Sequence, residues 1–174
     1  MASLNPRNLR DTGKRQNIVE EYGRLIRAWH DAGVVTQVGY IIGLPHDTEE
    51  SVNDDIDRLI REVRPDRAAF FMMTPLPGSE DHHRMIEAGA DLAFDYNLYD
   101  SCHETMTHPT MKGGAWIRAY RGAWERFYSF ENMKSILLRS TRENYWDTFR
   151  GLFWYKYASC CEDIHPMLSG FFAA

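Results

Sequence analysis

Apolar positions recur along this chain first at helical and then at strand spacing, and the alternation lays out a fold. Over residues 15–32, Ile18, Tyr22, Leu25, Ile26 and Trp29 fall on one face at intervals of one, three and four, and Gly33 follows as a stop signal. Residues 34–43 then run through Val34, Val35, Val38, Tyr40, Ile41 and Ile42, apolar on both faces, which predicts a strand covered on two sides. The run breaks at Gly43-Leu44-Pro45. Asp47 or Thr48 can then cap a helix whose Glu49 and Glu50 meet the positive end of its dipole. Val52, Ile56, Leu59, Ile60 and Val63 form its apolar stripe, and Arg64-Pro65-Asp66 ends it. Residues 67–73 are a second apolar run, stopping at TPLPGS. A strand-helix-strand unit of this length closes right-handed as a parallel pair, so the predicted class is α/β.

Residues 79–88 read as a short helix and 89–113 as a long polar and aromatic loop. Beyond it Trp116, Tyr120, Trp124 and Phe127, with Ala115, Ala119 and Ala123 beside them, form one aromatic stripe at helical spacing, and the texture stays helical from about 130 to 160. A stripe this regular is read as core rather than as a cofactor box. The organisation expected is therefore an α/β part over 1–90, a loop over 91–113 and an all-α extension over 114–174. Two parallel strands cannot bury both faces and both edges of a sheet, so the pattern asks for neighbours outside these residues.

Composition removes several function classes. With 174 residues and 44% hydrophobic positions the chain can bury a real core. Its 20 Lys and Arg against 25 Asp and Glu give a net charge of −5 without a long run of either sign, which argues against nucleic-acid binding. No apolar segment approaches the roughly 20 residues of a membrane span, and the first residues carry no apolar signal core, so a cytoplasmic protein is expected. Cys102, Cys160 and Cys161 are odd in number, and the adjacent pair would bridge only through a strained ring, so reduced thiols are expected. Cys102, His103 and His108, with His82 and His83 nearby, match no standard zinc spacing, and no metal site is expected.

The ordered motifs resemble a known family. The stretch GVVTQVGYIIGLPHDTEESVNDDIDRLI followed by DRAAFFMMTPLPGS is similar to the fifth and sixth strands of the radical S-adenosylmethionine (SAM) core, over roughly residues 2–90. MTHPTMKGGAWIRAYRGAWERFYS and EDIHPMLSGF resemble the C-terminal extension of its cobalamin-binding members, of the magnesium-protoporphyrin monomethyl ester cyclase type. The resemblance implies the C-terminal half of a partial (β/α)6 barrel, with ligands beyond the carboxyl ends of its parallel strands. It places Gly39, Ile41 and Gly43 against the adenine of SAM, with His46 at the position of the family's glutamate. It also implies backbone contacts to the adenine edge at Thr74, Pro75 and Leu76, and a ribose contact at Ser3.

The family's cluster motif C-x-x-x-C-x-x-C is absent, so a [4Fe-4S] cluster and cobalamin are expected only in a complete parent enzyme. The implied function is the adenine-side wall of a SAM pocket with part of the substrate side, inactive alone. Glu104 and His108, on the long loop, are the polar groups to test against substrate. The implied partner is a cluster-bearing half, or a second copy through an exposed strand edge. The alternative reading is a non-catalytic helical interaction module, and a C-x-x-x-C-x-x-C upstream in the reading frame would separate the two.

Overall fold

The structure is a computed structural model and describes residues 2–13, 18–160 and 164–168. Asn5 accepts the Arg7 N–H and Pro6 takes the first helical position, starting the short helix α1 (Pro6–Asp11), which the apolar pattern had not indicated. A 3-10 turn at Val19–Glu21 leads into α2 (Tyr22–Asp31), and β1 spans Gln37–Ile42. Thr48, not Asp47, caps α3 (Glu49–Arg58): its hydroxyl accepts the Ser51 N–H and the Ser51 hydroxyl accepts its own. The helix widens into a π turn at Leu59–Val63 and stops at Arg64, whose φ of 58° is left-handed. β2 (Arg67–Met72) pairs with β1 in parallel, Gln37 opposite Arg67 through Ile42 opposite Met72. Helices α4 (Glu80–Glu87), α5 (Ala115–Phe127), α6 (Phe130–Arg139) and α7 (Tyr145–Ala158) follow.

The architecture is mixed α/β around a two-stranded parallel sheet; among the described residues the strands do not close a barrel. Helices α3 and α5 pack on one sheet face. There the Tyr40 hydroxyl donates to Asp55 at 2.6 Å, and Phe70 meets Trp124 and Phe127 edge-on at 5.2 and 6.0 Å. Trp116, Tyr120, Trp124 and Phe127 are all buried, as the stripe predicts. On the other face Arg67 holds Asp147 of α7, and Phe71 stacks on His165. Among the described residues no helix is long and apolar enough to cross a membrane.

The two sheet edges are treated differently. Outward groups of β2 are met one by one: the Tyr128 hydroxyl takes the Ala68 N–H and donates to its carbonyl, His165 donates to the Phe70 carbonyl, and the Met72 N–H reaches the Ser101 carbonyl. On β1 the Ile41 N–H reaches the carbonyl of Ala2. Gln37 and Gly39 face the same way, and among the described residues no backbone group meets them. Beside that edge lies an apolar groove of about 410 Å³, walled by Leu25, Trp29, Val34 and Val38.

Candidate functional site at the carboxyl ends of the strands

The chain leaves β1 through Gly43, whose φ is 102°. A Cβ there would stand 2.3 Å from the Trp116 indole, whose N–H donates to the Ile42 carbonyl. The close approach that glycine permits is thus made by a side chain of α5. Asp47 turns back under the corner and is buried. Its carboxylate accepts the N–H groups of Gly43 and Leu44, each at 2.9 Å, and the Asn8 amide at 2.6 Å. Burial pushes its pKa up to about 6 against these hydrogen bonds. Asn8 also accepts the His46 N–H, and the His46 ring pairs with Asp11 at 2.6 Å.

Beside this corner, at the carboxyl ends of both strands, lies a cleft of about 730 Å³. Ile41, Thr74 and Leu76 line it, three of the residues singled out in the sequence, and Leu44, Phe71 and Met73 extend the apolar surface. Asp81 and Arg84 of α4 stand at the wall, so an apolar ring could lie on the floor with polar groups toward the rim.

The other sequence-derived positions lie elsewhere. Ser3 is fully buried and its hydroxyl accepts the Asn5 N–H. Gly39 lies beside the Phe71 ring, and Pro75 is buried behind the rim. Glu104 accepts the Ile117 N–H at 3.1 Å in the first turn of α5, serving as a cap. His108 is buried against Trp116. Its Nδ1 accepts the Met111 N–H, so Nε2 carries the proton that faces the Leu44 carbonyl at 3.3 Å, and burial lowers its pKa. In this structure His108 braces the corner rather than opening onto the cleft. Thr110 adds a hydrogen bond to the Asp47 carbonyl. Sequence reasoning missed Asn8, the inward role of Asp47 and Trp116 beneath Gly43; the one available signal was an aspartate four residues after a glycine turn.

The loop over 100–103 reaches the cleft through Ser101. It gathers Asp100, Cys102 and His103, whereas His108 belongs to the corner and His82 to α4. Cys160 is exposed past the end of α7, and Cys161 lies outside the described residues.

No protein-family model matches the chain. It is 25% identical over 118 residues to an anaerobic magnesium-protoporphyrin IX monomethyl ester cyclase of Rubrivivax gelatinosus, covering 68% of this chain and 21% of that protein. It is 30% identical over 112 residues to a bacteriochlorophyllide d C-12(1)-methyltransferase of Chlorobaculum tepidum, covering 64% of this chain and 24% of that protein. The chain thus spans about a quarter or less of the length of these curated relatives.

Proposed function

We propose that this chain contributes the adenine-side wall of a SAM pocket, with part of the substrate side, to a radical SAM enzyme of the cobalamin-binding type. The observation that carries the reading is the convergence of Ile41, Thr74 and Leu76 on one cleft at the carboxyl ends of two parallel strands. The distant similarity to a cyclase and a methyltransferase supports it. SAM would lay its adenine on the apolar floor at Ile41, with backbone groups near Thr74 and Leu76 meeting the base edge. When bound, SAM supplies the group transferred or cleaved. This chain's own residues give the base its apolar surface and exclude water from it.

The chain's residues do not fit an iron–sulfur cluster of their own: no C-x-x-x-C-x-x-C is present, Cys102 is buried in a loop and Cys160 is exposed at a helix end. We assign the cluster and cobalamin to a completing half, in the same polypeptide or another. Its docking face is the edge of β1 with the apolar groove beside it, because the Ile41 N–H there already meets the Ala2 carbonyl and the groups of Gln37 and Gly39 still face outward. Alone, the exposed edge favours self-association.

The test is calorimetric SAM titration of the chain alone, of the chain co-expressed with a cluster-bearing radical SAM half, and of that pair carrying Ile41→Asp. Binding is expected in the second sample and not in the first, and at least about tenfold weaker in the third, since a carboxylate against the adenine face is desolvated without a partner. Equal affinity in the second and third samples removes the adenine assignment. Tight binding by the chain alone overturns the half-site reading, and stable complex formation without SAM binding favours the helical interaction module.

A further inference from the structure

We propose that Asp100, Cys102 and His103 form a three-ligand site for a divalent cation of the zinc class, beside the cleft that their neighbour Ser101 lines. Asp100 Oδ1 accepts the N–H groups of Cys102 and His103, at 2.9 and 3.2 Å, and fixes the loop. That leaves Oδ2 to face the two side chains, 3.0 Å from Cys102 Sγ and 2.9 Å from His103 Nδ1, with Sγ and Nδ1 3.5 Å apart. A tetrahedral ion bonded at ~2.0–2.3 Å to oxygen, nitrogen and sulfur needs ligand atoms roughly 3.3–3.6 Å apart. The sulfur–nitrogen edge already has that length. The two edges to the carboxylate are shorter because protons now hold them, and losing those protons to a cation would open the triangle by a few tenths of an ångström.

The donor set is selective. A thiolate, an imidazole and a carboxylate together suit zinc better than magnesium or calcium, and three protein ligands leave a fourth position open, the arrangement of catalytic rather than structural zinc. Cys102 is buried, and the side chains of Asp100 and His103 are about three-quarters covered, so a bound ion would be shielded without being sealed off. The tie from the Ser101 carbonyl to the Met72 N–H holds the loop against β2, so the site keeps its place relative to the cleft.

The experiment is titration of the full chain with cobalt(II) under anaerobic conditions, followed by zinc. One equivalent of cobalt with a thiolate-to-metal charge-transfer band, displaced by zinc, is expected. Cys102→Ser should abolish the band and Asp100→Asn, which keeps the Oδ1 hydrogen bonds, should weaken binding at least about tenfold; Cys160→Ser should change neither. Absence of stoichiometric binding, or a band that survives Cys102→Ser or vanishes in Cys160→Ser, overturns the proposal. In the unmodified chain, zinc should slow alkylation of Cys102 at least about tenfold by peptide mass spectrometry. An unchanged alkylation rate overturns it independently of any variant.

Discussion

The sheet is pinned at each end by one buried aspartate, and the two are held differently. At the amino end Asp66 accepts the Thr36 N–H and hydroxyl at 2.8 and 2.9 Å and meets the His30 ring at 2.9 Å. Arg139 lies 3.6 Å away and donates to the carbonyls of Arg64 and Pro65. At the carboxyl end Asp47 has only neutral donors, two backbone N–H groups and one amide. A carboxylate among neutral dipoles in a low-dielectric site is drawn toward its protonated form. The amino end is thus a cross-tie with an ion pair, and the carboxyl end a carboxylate held by neutral donors beside an open cleft. In α/β barrels, likewise, the face that holds the fold is distinct from the face that meets ligands.

The comparison breaks most completely at Gly43. Gly43→Val adds a branched side chain at a φ of 102°, where the first carbon alone would overlap the Trp116 indole at 2.3 Å. The cost expected is at least about 3 kcal/mol, combining backbone strain with overpacking in a filled core. Thermal melting should show a much lower midpoint or no cooperative transition. A native-like melt would mean that Trp116 moves aside freely and that the corner is not rigid. Gly43 therefore tests the frame, and Ile41 is the position that tests the ligand.

Asp66→Asn sharpens the same comparison from the other end. The amide oxygen still accepts from Thr36, but the half-buried Arg139 loses its counter-charge, and burial already pulls that guanidinium below its usual range. Breaking a buried ion pair by removing one partner costs about 3 kcal/mol. Urea unfolding should show that loss at neutral pH, with the cleft residues undisturbed. A loss under about 1 kcal/mol would show that Arg139 is held by its carbonyl partners alone.

Much of the frame was legible and much of its bracing was not, for one physical reason. β1, β2 and the stripe of α5 announce themselves through local periodicity, and Ile41, Thr74 and Leu76, which the resemblance to the radical SAM core singles out, line one cleft. β1 begins at Gln37 rather than 34, since its first apolar residues run past the start of pairing. The break between α6 and α7 at Ser140–Asn144 is hidden by uniformly helical composition, and the π turn at Leu59–Val63 leaves no compositional trace. Trp116 beneath Gly43 and Asn8 against Asp47 are contacts between residues 73 and 39 positions apart in sequence, which no local pattern encodes. Asp100 beside Cys102 and His103 gives no such signal, because zinc spacing patterns run over cysteine and histidine.

The smallest and most discriminating effect concerns the protonation of Asp47. Its pKa rises from 3.8 to about 6 on folding, with burial the largest cause, so between these values the folded chain binds a proton that the unfolded chain does not. The stabilisation is fully present below about pH 4 and is lost as pH rises through 6. At about 1.4 kcal/mol per unit, wild type should gain about 2–3 kcal/mol relative to Asp47→Asn as pH falls from 7 to 4. His108 works in the opposite sense: burial lowers its pKa, so the stability it contributes is present above its unfolded pKa and lost as pH falls through the folded one. Because His108 titrates in both proteins, the difference between their unfolding free energies, measured in urea at pH 4, 5, 6 and 7, isolates Asp47. A difference that is flat with pH would mean that Asp47 stays charged among its neutral donors, and the contrast between the two ends of the sheet would then rest on geometry alone.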